Sequence, residues 1–171
     1  AYDGTFNRYL VVFQRTFGFD DVDVRAQMVT SGGSLTGGVL SLATNGVNRS
    51  PAVGDQTGQN KFVVAWQHSG SGFGKHDIQA LTVDAGTAAL SVIVDVARTV
   101  AGNEIQPDVA GERGSEDDAF IIWNDEGNGI WAAQLDVAPM QAFDVTQIAA
   151  TTTAEKPAIS KSTGLPGGCL V

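Results

Sequence analysis

The chain has 171 residues, 43% of them hydrophobic, with 21 glycines and five prolines. That apolar content excludes wholesale disorder, and no run is long enough to cross a bilayer as a helix. The net charge of −9, with ten basic residues scattered singly, argues against binding nucleic acid or anionic membrane surfaces. Many glycines and few prolines suit short strands joined by tight turns.

Read in chain order, the sequence repeats itself. Ala1-Tyr2-Asp3-Gly4 resembles the end of a strand, and Arg8 to Gln14 follows as an apolar run closed by an amide. The second apolar stretch, Asp23 to Val29, alternates: Val24, Ala26 and Met28 fall on one face and Arg25, Gln27 and Val29 on the other. A third strand is expected over Val39 to Thr44. After the Asn45-Gly46 turn, Pro51-Ala52-Val53 is expected to open a strand at its proline, where no ladder hydrogen bond is lost.

The same order returns. Lys61 to Gln67 carries Trp66 where the first copy has Phe13, and Asp118 to Asn124 carries Trp123. Asp77 to Val83 and Gly129 to Leu135 repeat the alternating stretch, Leu90 to Val96 and Phe143 to Ile148 the third strand, and Pro107 and Pro157 the proline. A period near fifty with four strands per unit predicts an all-β protein of three propeller-type blades, approximately 1–54, 55–110 and 111–171, in one repeat domain. Short β-branched runs, apolar on both faces, predict strands covered above and below, with Phe13, Trp66, Trp123, Pro51, Pro107 and Pro157 as repeat-core positions.

Three blades cannot close a ring of the usual four to eight, so each terminal blade is expected to leave an apolar face open. The expected partner is a second copy of the chain, or the remainder of a longer chain.

The motifs at Tyr9–Phe13, Asp23–Val29, Asp77–Asp84, Pro107–Ala110 and Ala1–Gly4 resemble repeats of large secreted bacterial proteins. Those units read approximately as Leu-Val-Val-Trp, Asp-Ile-x-Ala-Gln-x-x-Asp, and Pro-x-Val-Ala ending in Tyr-Asp-Gly. The chain departs from them with Phe13 for the tryptophan and Gly129 for the opening aspartate. The resemblance implies a β-propeller in an extracellular or cell-surface setting, and it implies no activity.

Candidate chemistry is sparse. Trp131 replaces Arg25 and Gln79 of the other copies, so repeat packing does not demand an aromatic there. It is the leading candidate for a ligand-facing or interface aromatic, with Asp125 and Asn128 beside it. The acidic clusters Asp20-Asp21-x-Asp23, Glu116-Asp117-Asp118 and Asp125-Glu126-x-Asn128 offer oxygen ligands for calcium, but none has the spacing of a calcium loop. Solvated turns are the expectation, with no cofactor or metal.

His68 and His76 bracket a glycine-rich hairpin tip (Gly70, Gly72, Gly74), and no third metal ligand is spaced with them. Cys169 has no catalytic partner beside it, and Asn48-Arg49-Ser50 is a formal glycosylation acceptor. A sialidase-type site needs an arginine cluster and a nucleophilic tyrosine, yet only Tyr2 and Tyr9 exist and both belong to the repeat. The composition therefore favours a non-catalytic structural or binding module that self-associates through open blade faces. The propeller portion of a glycan-binding or glycan-degrading protein is the alternative.

Overall fold

The computed structural model describes residues 1–70, 75–97, 102–111, 118–150, 153 and 156–161. Among these residues the structure is all-β, apart from a single 3-10 turn at Thr57–Gln59. The strands are β1 (Tyr2–Asp3), β2 (Arg8–Gly18), β3 (Asp21–Thr30), β4 (Leu35–Ala43), β5 (Val47–Gln56) and β6 (Lys61–Ser69), then β7 (Asp77–Asp84), β8 (Val94–Ala97), β9 (Glu104–Gly111), β10 (Asp118–Asp125), β11 (Gly129–Asp136) and β12 (Gln141–Ala149).

Antiparallel pairing runs β1-β2-β3-β4, then β5-β6-β7-β8, then β9-β10-β11-β12. A single parallel pair, Val22 with Val47, joins the first two units into one eight-stranded sheet. Neither sheet closes on itself among the described residues. The third strands shift from expectation: β4 begins at Leu35, and β8 begins only at Val94, with Leu90 making one isolated bridge to Val83.

The apolar runs bury as strand alternation dictates. One cluster joins Leu10, Val24, Ala26, Met28 and Leu42 of the first unit to Phe62, Val64, Trp66, Leu81 and Val83 of the second. The next joins Val63, Ala65, Ile78 and Ala80 on the other face of the second unit to Ile121, Trp123, Ala133 and Leu135 of the third. A smaller cluster beyond the third unit contains Ala110, Ile122, Ala132 and Ile159. Alternate residues of β6 and β7 thus point into different clusters, which explains why those runs are apolar on both faces.

The prolines do not sit at strand starts. Pro51 lies inside β5 and Pro107 inside β9, each directly after a residue with positive φ (Ser50, 50°; Gln106, 54°) and at a break in pairing register. A bulge leaves the missing N–H without a ladder partner to lose, so mid-strand proline is tolerated there. Pro157 lies in a described stretch outside any strand, where Ile159 is buried and its N–H donates to Asp108 Oδ2.

The amides Gln14 and Gln67, which close the apolar runs of β2 and β6, have a structural task. Gln14 Oε1 accepts from Ser50 N at 3.2 Å, and Gln67 Oε1 accepts from Gln106 N at 3.2 Å. Each glutamine therefore caps the left-handed residue of the following unit. Gln67→Ala is expected to destabilise the fold by about 1–2 kcal/mol, since it strands an N–H beside a buried seam. Urea denaturation measures this, and Gln67→Glu keeps the acceptor and should recover part of the loss.

Candidate functional site

Two surfaces stand out, an open sheet face and a polar groove. Tyr9, Val11 and Phe13 project from β2 away from the first cluster. Tyr9 is 43% exposed, Val11 49%, and Phe13 is half-buried. Their register counterparts are Phe62, Val64 and Trp66, all at 0%. Pairing places Phe13 opposite Arg25, Trp66 opposite Gln79 and Trp123 opposite Trp131, so these three aromatics hold one position in three units. Trp66 packs toward the first unit and Trp123 toward the second, while Phe13 joins no inter-unit cluster among the described residues. Leu35 and Val39 on β4 and Phe17 and Phe19 at the hairpin widen the open apolar surface. The Arg15 and Arg25 guanidinium groups lie over the Phe17 ring, at 4.6 and 5.5 Å.

Trp131 is partly buried and packs on the cluster between the second and third units, with Ala52 and Val94. Its indole N–H has no hydrogen-bond partner among the described residues. Asp125 and Asn128 form the turn between β10 and β11: Asn128 N donates to Asp125 O at 2.9 Å, and Asn128 Nδ2 donates to Asp125 Oδ1 at 3.1 Å. Gly127, with φ 86°, supplies the left-handed corner. Asp125 is buried and Trp131 faces the inter-unit seam, so the three residues do not form one exposed site.

Of the acidic clusters, Asp23 is buried and paired with Arg25 at 2.5 Å. Glu116, Asp117, Gly72, Gly74 and Cys169 lie outside the described residues. Among the described residues no three His, Cys, Asp or Glu side chains gather as a metal would require.

Asn48, read from sequence as a glycosylation acceptor, is instead fully buried. Its Nδ2 donates to Val22 O (3.2 Å) and Asn45 O (3.0 Å), and its Oδ1 accepts from Trp66 Nε1 (3.1 Å). His68 Nδ1 lies 2.8 Å from the same Oδ1. Both amide hydrogens of Asn48 are engaged by carbonyls, so its oxygen is the acceptor and Nδ1 of the neutral imidazole carries the hydrogen. Nε2 keeps its lone pair. Burial holds the His68 pKa below its ordinary value, against the opposing pull of Asp77 and Asp95. Glu104, also buried, stands three residues before Pro107 as Asn48 stands three before Pro51. That recurrence of a polar residue three positions ahead of Pro51 and Pro107 is the sequence signal that marks the position.

Beside Asn48 and His68 a groove of about 400 Å³ opens between the first two units, lined by Leu42, Ala43, Gln79, Ile93 and Asp95 among others. Gln79 Nε2 donates to Asp95 Oδ1 at 2.9 Å across its rim. Comparison of the chain with protein-family models, curated proteins and solved structures finds no match.

Proposed function

We propose that the protein is a non-catalytic structural and binding module of β-propeller blades, working outside the cell or at its surface, that associates with further copies of itself through its open sheet faces. One observation carries this reading: in the row Tyr9-Val11-Phe13 the first two are exposed and Phe13 is half-buried, whereas the residues at the same register in the second unit are fully buried against a neighbouring unit. Within the chain, that row is twice covered by the face of the unit before it. The matching occupant is the far face of the third unit of a second copy, where the half-buried Phe120 lies beside Ile122 and Ala132, which Ile159 of the same chain already helps to cover. Such a contact joins unlike surfaces, so copies either close into a ring or grow as a filament. Two copies would supply six blades, within the usual range for a closed propeller.

Sedimentation velocity or light scattering at micromolar concentration tests the reading. Mass should rise with concentration, as a discrete dimer for a ring or without limit for a filament. Val11→Glu should hold the chain monomeric at the same concentrations, because a carboxylate would have to be buried in the contact. A compact wild-type monomer throughout would overturn the proposal.

A further inference from the structure

We propose that the groove between the first and second units binds a neutral polyhydroxylated molecule of monosaccharide size, held by His68, Gln79 and Asp95 against Leu42, Ala43 and Ile93. Its volume of about 400 Å³ lies in the range of small-molecule sites. One exchange sets this seam apart from the next. Gln79, opposite Trp66, is the register counterpart of Trp131, opposite Trp123. Between the second and third units the indole of Trp131 packs into the seam; between the first and second the shorter amide leaves the space open.

The floor is built rather than incidental. Asn48 is fully buried and bonds Val22 O, Asn45 O, Trp66 Nε1 and His68 Nδ1, which fixes the imidazole and leaves Nε2 as an acceptor. No hydrogen bond reaches Nε2 from the described residues. Thr44, Asn45, Gln79 and Asp95 supply the other polar residues of the lining.

This chemistry selects the ligand class. No lysine or arginine lines the groove, and the chain carries −9, so phosphates and carboxylates find no counter-charge. One imidazole nitrogen and one carboxylate are too few to hold a metal ion. Hydroxyl groups satisfy both sides of the inventory: they donate to His68 Nε2 and Asp95 and accept from the amides and Thr44. The apolar wall of Leu42, Ala43 and Ile93 suits the C–H face of a sugar ring.

Titration of the ¹⁵N-labelled chain with D-glucose, D-galactose, D-mannose and N-acetyl-D-glucosamine, each to about 20 mM, covers the affinity such a shallow site supports. At least one sugar should give saturable shifts of the Trp66 indole N–H and the Asn48 side-chain amide. Gln79→Trp should abolish them while keeping a dispersed spectrum, since the third unit already accepts tryptophan at this position. If that variant does not fold, Asp95→Ala and His68→Ala serve, each weakening binding about tenfold through a lost acceptor. Absence of saturable shifts with all four sugars, or shifts that persist unchanged in the variants, would overturn the proposal.

Discussion

Trp66→Ala is expected to lower folding stability by about 3–5 kcal/mol, the range for truncating a large buried aromatic. Trp66 is fully buried between the first two units, and its indole N–H donates to Asn48 Oδ1. Truncation opens a cavity and removes one of the bonds that orient Asn48, which itself holds His68. For a chain of this size the melting temperature should fall by about 10 °C or more. Trp123→Ala should cost about the same, because its indole occupies the matching seam between the second and third units. Phe13→Ala, at the identical register position, should cost only about 1 kcal/mol while the chain is monomeric, because that side chain still meets water. The gap between Phe13 and Trp66 should then narrow as concentration rises, since association would stabilise the covered face by mass action. Urea denaturation of the three variants across a dilution series decides this. Equal losses for Phe13→Ala and Trp66→Ala in the monomer would show that the first unit's outer face is already covered.

Gly111→Ala is the second large effect, and the substitution adds only one methyl group. A Cβ at Gly111 would lie 1.7 Å from Asp55 O, 2.3 Å from Asp55 C and 2.8 Å from Gln56 N. All three obstacles are backbone atoms of β5, so no side-chain rotation relieves the overlap. The strands β5 and β9 would have to separate, loosening the cluster that contains Val63, Ile121 and Val109. A loss of about 3 kcal/mol or more is expected, at the upper end of overpacking effects. Gly38→Ala is the control: a Cβ there meets nothing within 4 Å and its φ is ordinary. It should change stability by no more than about 0.5 kcal/mol. Thermal melts of the two variants in parallel separate close backbone approach from a general intolerance of glycine replacement.

Much of this architecture is legible in the sequence, and the reason is periodicity. Strand alternation has a period of two, so Val24-x-Ala26-x-Met28 declares one buried face, and the same spacing returns in the second and third copies. Runs such as Phe62 to Trp66, apolar at every position, declare a strand covered on both faces. The prolines depart from the strand-start expectation for a local reason. Sequence marks a proline's missing donor, and both a strand start and a bulge absorb it; the left-handed Ser50 and Gln106 choose the bulge, and the glutamines of the preceding unit stabilise it.

The polar groove was not legible, because it depends on an exchange between distant residues. Gln79 and Trp131 occupy one repeat position, and only the packing of neighbouring units tells which of them leaves space. Asn48 likewise carried the signature of a surface acceptor, yet its environment comes from Val22, Asn45, Trp66 and His68, brought together by strand pairing.

By itself, the order of residues determined the strands, their alternation, the threefold repeat and the apolar character of both faces of the middle unit, because each of these follows from local spacing. Tertiary structure alone decided which faces find a cover, where prolines interrupt the ladder and where a seam stays open. Those outcomes depend on the stacking of whole sheets, and a side chain's burial is set by the neighbour across the seam rather than by its own identity.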